Sequence, residues 1–239
     1  MSASGVEPIE QAIVTLKTDL LSEYRVLALL GQGEFAQVYC AVHRWSGRLV
    51  AIKQARHMRE LASQEPLAMQ QVSHPNVVVC YAVSKDSSAG ELGYQLVLEY
   101  CEGGTLRSHL NNAKNTAMPF SLAEIQPLIE DILSGLYHIH QRGIIHGDLK
   151  PENIFLTYPY PPDSPLVPLA KIGDFGSAQL ISRSNWKRPS SINASKREIG
   201  SPTYAAPERF DGYASNASDL YSVGVIFYEL LAGDRHFSG

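Results

Sequence analysis

Residues 146–153 read His-Gly-Asp-Leu-Lys-Pro-Glu-Asn, and residues 174–176 read Asp-Phe-Gly. We expect a short strand between the two stretches, so the carboxylates of Asp148 and Asp174 and the carboxamide of Asn153 should meet at one place. Mg²⁺ prefers such hard oxygen ligands. Phosphoryl transfer also needs a carboxylate near the attacking hydroxyl and a cation that offsets developing charge, and Lys150 can be that cation. The sequence therefore predicts a site for metal-dependent phosphoryl transfer.

Residues 146–153, called the catalytic loop below, match the signature His-Arg-Asp-x-x-x-x-Asn, with Gly147 at the arginine position. On this match the chain resembles the eukaryotic protein kinases, and its Lys-Pro-Glu-Asn run resembles their Ser/Thr-specific branch. The resemblance implies that Asp148 is the base or orients the substrate hydroxyl, that Lys150 offsets γ-phosphate charge, and that Asn153 and Asp174 hold Mg²⁺. In the family this arginine commonly binds a phosphate on the activation segment. Gly147 therefore predicts that phosphorylation there is not the usual on-switch.

Composition limits the class of protein. The 239 residues are 44% hydrophobic and 18% charged, which is ordinary for a globular chain. A net charge of −4 gives no reason to expect nucleic-acid binding, and we see neither an export signal nor a membrane anchor. Cys40, Cys80 and Cys101 show no paired spacing, which fits reduced thiols in the cytoplasm, or in the nucleus. Buried small hydrophobic side chains are the simpler interpretation of all three.

The N-terminal residues differ in pattern from the rest of the chain. Ile9, Ile13, Leu16 and Leu20 recur at helical spacing, so residues 1–23 are interpreted as a leader with one amphipathic helix. This helix could pack on the body of the protein or bind a regulatory partner. From Tyr24 onward the pattern predicts two or three strands joined by turns that contain glycine.

Residues 31–38 match the pattern Gly-x-Gly-x-x-Gly-x-Val, except that Ala36 replaces the third glycine. Glycines let backbone N–H groups approach phosphate, although a plain hairpin uses them equally well. The run of residues 50–53, Val-Ala-Ile-Lys, strengthens the nucleotide interpretation. The resemblance assigns Lys53 to the α- and β-phosphates, whereas a lone strand lysine is normally a solvated edge residue.

In the family this lysine pairs with a carboxylate on the next helix, and Glu65 is the predicted partner, with Glu60 as the alternative. Only twelve residues separate Lys53 from Glu65, and Pro66 follows directly. Because proline suits a first helical turn, we expect a short helix that starts near Glu65.

Residues 94–104 resemble the strand and hinge that contact adenine in the family. The resemblance implies backbone hydrogen bonds from the base to Glu99 and Cys101, and apolar contacts with the ring. The implied ATP-binding residues are Gly31, Gly33, Ala36, Val38, Ala51, Lys53, Glu65, Glu99, Cys101 and Phe155.

Further along the chain, Ser121 and Glu124 predict a capping box, followed by a long helix that leads to the catalytic loop. Residues 176–208 resemble an activation segment that is rich in serine and basic residues, and regulatory phosphorylation and a plain solvated loop both fit it. The resemblance places the hydroxyl of Ser201 near Asp148 and Lys150, and it implies that Asp219, on a central helix, braces the catalytic loop.

These parts predict an α+β, bilobal protein-kinase-like fold, with a small antiparallel β-sheet lobe and hinge at residues 24–101 and a mainly helical lobe at residues 102–239. The sequence ends soon after the predicted central helix, so we expect an incomplete helical lobe and a Glu208 without its usual arginine partner. The favoured function is an ATP- and Mg²⁺-dependent kinase that acts on Ser/Thr hydroxyls of protein substrates. The alternatives are a nucleotide-binding pseudokinase or scaffold and, because His-Gly-Asp also occurs there, a small-molecule phosphotransferase of the aminoglycoside kinase type.

Overall fold

A computed structural model describes residues 20–33, 36–55, 64–86, 93–116, 120–159, 166–181, 190–191 and 201–233. The chain divides into two compact units. The first contains residues up to Pro66 together with Val79–Tyr100, and the second contains Leu67–Val78 and the residues from Cys101 onward. The predicted leader lies largely outside the described residues, as does Glu60. The lobe boundary at residues 101 and 102 stays a prediction.

The first unit is built on one antiparallel sheet whose strand order is β1-β2-β3-β5-β4. A single helical turn, α1 (Leu20–Glu23), precedes the sheet. The strands are β1 (Tyr24–Gln32), β2 (Ala36–His43), β3 (Leu49–Ala55), β4 (Cys80–Asp86) and β5 (Gly93–Glu99). Alternate apolar residues of these strands form the core of the unit, as expected from the two-residue period of a strand. This cluster contains Tyr24, Val26, Tyr39, Ala41, Val50, Ile52 and Val97.

The register of the sheet decides which side chains share a face with Lys53. Lys53 lies opposite Val38 on β2 and opposite Leu96 on β5. Ala51 lies two residues before Lys53 on the same strand. Since paired residues and residues two apart point to the same side of a sheet, Lys53, Val38, Ala51 and Leu96 lie on one face.

The second unit is mainly helical. Its helices are α3 (Leu106–Thr116), α4 (Leu122–Gln141), α5 (Pro207–Phe210) and α6 (Asn216–Ala232), and α2 (Gln64–Gln71) joins the two units along the chain. Among the residues that the structure describes, three pairs of short strands complete it. They are β6 (Ile144–Ile145) with β9 (Gln179–Leu180), β7 (Ile154–Leu156) with β8 (Ala170–Ile172), and β10 (Ser190–Ser191) with β11 (Tyr213–Ala214).

Helix α4 carries the apolar core of this unit and contacts α6. Ser121 precedes it, and its backbone N–H donates to Glu124 Oε2 at 2.8 Å, which confirms the predicted capping box. The buried face contains Ile125, Leu128, Ile132, Leu136 and Ile139. Leu122, the first residue of the helix, is 72% exposed.

The predicted α+β class and bilobal protein-kinase-like architecture are confirmed by the antiparallel sheet and the helices that follow it. Within the described residues, every helix is too short or too polar to span a bilayer.

Candidate active site

The catalytic loop connects β6 to β7, and its polar side chains converge. Lys150 Nζ donates to Asp148 Oδ2 at 2.7 Å and to the hydroxyl of Ser201 at 3.2 Å. The backbone N–H of Ser201 donates to Asp148 Oδ1 at 3.2 Å. Asn153 Nδ2 donates to the carbonyl of Asp148 at 2.7 Å. The structure therefore brings together Asp148, Lys150, Asn153 and Ser201, as the sequence predicted.

Asp219 of α6 holds the backbone of this loop. Its Oδ2 accepts from the N–H of His146 and its Oδ1 accepts from the N–H of Gly147, both at 2.9 Å. His140, at the end of α4, contacts Oδ2 through Nε2 at 2.9 Å. Asp219 is 2% exposed, so this buried carboxylate is satisfied by the loop and by α4. The bracing role expected for Asp219 is confirmed by these contacts.

His146 links the loop to residues 173–175. Its ring is fully buried and lies 5.1 Å from the ring of Phe175 in an edge-on arrangement. His146 Nε2 lies 3.0 Å from the carbonyl of Gly173, which can only accept, so Nε2 carries the proton. The position of Gly173 leaves no room for a side chain, since an added Cβ would lie 2.8 Å from the ring of Phe155. Sequence motifs alone did not single out Gly173.

Asp174 has an unusual backbone conformation. Its φ of 59° is the only positive value at a described residue other than glycine. Its Oδ1 accepts from the N–H of Gly176 at 3.4 Å, at the start of a 3₁₀ turn over Phe175–Ser177. Left-handed backbone is uncommon away from glycine, and aspartate tolerates it better than most residues. This conformation sets the direction of the Asp174 carboxylate.

In the first unit, Lys53 Nζ donates to Glu65 Oε1 at 2.7 Å, so the predicted ion pair is present. The other carboxylate oxygen, Oε2, accepts from the hydroxyl of Tyr94 at 2.5 Å. Glu65 is 2% exposed and lies in the first turn of α2. The short helix predicted to start near Glu65 is confirmed as Gln64–Gln71. The contribution of Tyr94 was not predicted from the sequence.

The glycine-bearing segment forms the turn between β1 and β2. Gly31 lies opposite Val38, and the N–H of Gly33 donates to the carbonyl of Ala36 at 2.8 Å. Ala36 is the first residue of β2 and lies opposite Ala55. Glu34 and Phe35, at the tip of the turn, lie outside the described residues.

The hinge residues already use part of their backbone. The N–H of Glu99 donates to the carbonyl of Val79 at 2.8 Å. The carbonyl of Cys101 accepts from the N–H of Gly104 at 3.1 Å, and Cys101 is 8% exposed. Phe155 lies on β7 opposite Lys171.

Arg107 forms a buried ionic cluster that was not predicted from the sequence. Its Nε donates to Glu152 Oε1 at 2.7 Å, and its two Nη atoms donate to the two oxygens of Glu229 at 2.8 and 3.0 Å. The hydroxyl of Tyr204 contacts Arg107 Nη2 and donates to Glu229 Oε2 at 2.5 Å. Burial alone would lower the pKa of Arg107, but its hydrogen bonds with Glu229 and Glu152 outweigh burial and raise that pKa. The guanidinium is thus a permanent charge that ties the catalytic loop, residue 204 and helix α6 together.

A signal for this cluster was available in the sequence. Glu229 lies within the apolar run from Val223 to Ala232, and a carboxylate buried in such a helix requires a partner. Glu208, which we expected to lack its partner, accepts a hydrogen bond from the hydroxyl of Ser218 at 2.6 Å.

Comparisons with known proteins agree with this geometry. Residues 24–239 match the family described as protein kinase domain. The chain is 31% identical to the serine/threonine-protein kinase Nek3 of Mus musculus over 89% of this chain and 38% of that protein. It is 33% identical to the serine/threonine-protein kinase ATG1a of Arabidopsis thaliana, over 92% of this chain and 33% of the relative.

A bacterial relative, the serine/threonine-protein kinase pkn2 of Myxococcus xanthus, is 35% identical over 90% of this chain and 25% of its own length. The chain therefore spans between 25% and 38% of the length of these three relatives. Since the family match covers residues 24–239, which include the catalytic loop and the sheet, the chain belongs to the protein kinase family.

Proposed function

We propose that this chain is an ATP- and Mg²⁺-dependent protein kinase that transfers the γ-phosphate of ATP to Ser or Thr hydroxyls of protein substrates. The observation that carries the proposal is the carboxylate of Asp148. Lys150 and the backbone of Ser201 bind its two oxygens, one each, at 2.7 and 3.2 Å. A carboxylate held this way has a fixed direction in which it can accept a proton from an incoming hydroxyl.

In this proposal, the substrate hydroxyl oxygen forms a bond with the γ-phosphorus while the bond to the β,γ-bridging oxygen breaks, and ADP leaves. Asp148 orients the hydroxyl and receives its proton. Lys150, which also contacts Ser201, offsets the charge that develops on the transferred phosphoryl group. Ser201 positions Lys150 and Asp148 relative to each other.

Asn153 and Asp174 fit a magnesium ion. Asn153 uses its amide nitrogen to bind the carbonyl of Asp148, which directs its amide oxygen away from that contact. Asp174 adds a carboxylate, and both groups are the hard oxygen donors that Mg²⁺ prefers. Among the described residues there is no group of three or more His, Cys, Asp or Glu that could hold a metal. This fits Mg²⁺, which commonly takes one or two protein ligands together with substrate phosphates and water.

The first unit supplies most of the proposed nucleotide contacts. Lys53, oriented by Glu65, binds the α- and β-phosphates, and the backbone of Gly31, Gly33 and Ala36 approaches the phosphates. Val38 and Ala51, on the same sheet face as Lys53, contact the adenine ring. Phe155 contributes a further apolar contact. The base bonds to the backbone at Glu99 and Cys101.

We further propose that the kinase acts on proteins in the cytoplasm or the nucleus, because its three cysteines show no paired spacing and two of them are buried. The leader is proposed to bind a regulatory partner.

The test is Mg²⁺-dependent transfer of γ-phosphate from ATP to a basic protein such as histone or myelin basic protein. Asp148→Asn and Asp174→Asn should each reduce transfer by a factor of roughly 10² or more. Asp211→Asn is the matched control, because Asp211 is an exposed aspartate of the same unit. If the wild-type chain shows no transfer while ATP raises its melting temperature, the chain is a nucleotide-binding pseudokinase and the proposal is wrong. Equal transfer by all three variants would also overturn it.

A further inference from the structure

The carboxylate of Glu65 is shared between two donors of different kinds. Lys53 Nζ binds Oε1 at 2.7 Å, and the hydroxyl of Tyr94 binds Oε2 at 2.5 Å. All three side chains belong to the first unit. Glu65 is 2% exposed and Tyr94 is 5% exposed, so this arrangement excludes most water. In such surroundings a hydrogen bond to a charged group is stronger and more directional than at the surface.

Glu65 lies in the first turn of a short helix, where the helix itself restrains side chains little. Helix α2 begins at Gln64 and is only eight residues long, and Glu65 is its second residue. The first turn of a helix has N–H groups without intrahelical partners, and short helices are marginal on their own. Pro66, the third residue, has no N–H at all. The helix alone therefore does not fix the direction of this carboxylate.

Tyr94 lies on a much firmer element. It is the second residue of β5, where it pairs with Ala55, and two residues later Leu96 pairs with Lys53. Tyr94 thus points to the same sheet face as Lys53. Its ring packs in a cluster with Ala55 and Leu96, against Cys80, Val83 and Leu98. A packed ring with few rotatable bonds holds its hydroxyl at one position.

We propose that Tyr94 is a positioning residue that fixes Glu65 from the sheet and so aims its Oε1 at Lys53. The hydroxyl is uncharged, so it binds Oε2 without neutralising the carboxylate, and the full negative charge remains to attract the ammonium of Lys53. Without that bond the carboxylate can rotate, and the ammonium of Lys53 loses its fixed position. This inference rests on the proposed function, since Lys53 is the group proposed to bind the α- and β-phosphates.

The first test needs no nucleotide. Lys53 of the free protein is labelled with an amine-reactive reagent, and the rate is measured by mass spectrometry for the wild type, Tyr94→Phe and Tyr81→Phe. A well-placed carboxylate keeps the amine charged and unreactive, so Lys53 should react roughly three-fold faster in Tyr94→Phe. Tyr81 is a half-exposed tyrosine of the same sheet whose ring lies over Arg48, so Tyr81→Phe should behave like the wild type.

Two further variants separate positioning from packing. With p-aminophenylalanine at position 94 the donor returns, and the slow labelling of Lys53 should return with it. p-Fluorophenylalanine at position 94 keeps the size of the side chain but cannot donate a hydrogen bond. It is the second variant without a donor, to be used if Tyr94→Phe does not fold.

In a Glu65→Gln background, Tyr94→Phe should change the labelling rate of Lys53 by less than about 1.5-fold, because the carboxylate through which Tyr94 acts has been altered. Thermal unfolding checks the fold of each variant.

The second test connects the arrangement to the reaction. In Tyr94→Phe, kcat/KM for ATP should fall roughly ten-fold and recover with p-aminophenylalanine. If labelling of Lys53 does not change in folded Tyr94→Phe, or changes additively with Glu65→Gln, the positioning role is wrong even if the wild type is an active kinase. If the labelling pattern holds but the wild type neither binds MgATP nor transfers phosphate, the proposed function fails, and with it the claim that Tyr94 serves a reaction.

Discussion

The guanidinium of Arg209, on α5, donates from Nη2 to the backbone carbonyl of Gly147 at 2.9 Å. Gly147 occupies the arginine position of the catalytic-loop signature. A guanidinium therefore reaches this loop from another part of the chain. Burial lowers the pKa of Arg209, while the charges of Asp219, Asp148 and Glu208 act to raise it.

Replacement of Arg209 tests how much the loop depends on this contact. In Arg209→Met the carbonyl of Gly147 loses its donor in partly buried surroundings, so we expect the unfolding free energy to fall by about 1–3 kcal/mol. Chemical denaturation measures the change. Arg25→Met, at an exposed arginine, should stay within about 0.5 kcal/mol of the wild type. Equal effects of the two substitutions would show that the contact contributes nothing.

Introducing a side chain at position 147 should destabilise the protein. Gly147 has a φ of +79°, and an added Cβ would lie 2.9 Å from the carbonyl oxygen of Ser177. Gly147→Ala and Gly147→Arg should therefore each lower the unfolding free energy by at least about 1 kcal/mol. Gly224 is the matched control, because it lies on helix α6 with nothing within 4 Å of an added Cβ. Gly224→Ala should stabilise by about 0.5–1 kcal/mol, which gives the opposite sign in the same melting experiment.

The Arg107 cluster should behave as one unit. Arg107→Met leaves the carboxylate of Glu229, which is 1% exposed, without its main partner. Removal of one member of a buried pair costs about 3–5 kcal/mol. The double variant Arg107→Met with Glu229→Leu removes both buried charges and should lose less than the single variant. Denaturant unfolding decides the point, and a double variant that loses the sum of both single effects would contradict the coupling.

Stability should fall at mildly acidic pH because of two neighbouring histidines. The rings of His74 and His138 lie 4.7 Å apart, and burial and the charge of Arg142 lower the pKa of both below 6.5. The unfolded chain then binds more protons than the folded chain as the pH falls. The two histidines contribute fully to the unfolding free energy above the unfolded pKa of about 6.5. This contribution is lost as the pH falls through the lowered pKa of each histidine in the folded chain.

The melting temperature, measured between about pH 7.5 and about pH 5.5, should drop less in His138→Phe than in the wild type, because one of the two titrating rings is gone. Asp131 works in the opposite direction, since burial raises its pKa and its protonation favours the folded chain. An unchanged slope in His138→Phe would rule out the histidine pair as the cause. The neighbouring Lys171, whose charge also lowers the pKa of His74, is retained in both proteins.

The sequence predicted the parts of the site that lie within short, ordered motifs. Asp148, Lys150 and Asn153 are fixed by one loop, and Lys53 is fixed by one strand, so local spacing was enough to relate them. The pairing of Lys53 with Glu65 was also predicted, because the position of Glu65 followed from the resemblance. The class of fold followed from the same order of motifs.

The remaining contacts depend on residues that are distant in sequence. Tyr94 is 29 residues from Glu65, and Arg107 is 122 residues from Glu229. No periodicity relates such positions, since their approach depends on strand register in the one case and on helix packing in the other. Arg209 reaches Gly147 because its helix follows shortly after Ser201, which contacts Asp148 of the catalytic loop. The course of the chain between Ser201 and Arg209 could not be obtained from spacing alone.

Asp219 should make opening of the catalytic loop slow. The amide protons of His146 and Gly147 point at the buried carboxylate of Asp219 on helix α6, and the third contact of that carboxylate comes from α4. These amides can exchange with deuterium only when the loop separates from Asp219, and His140 also holds that carboxylate, so their exchange should approach the rate at which the second unit unfolds. The amides of His146 and Gly147 would then mark the place where the proposed chemistry and the global stability of the unit depend on the same residues.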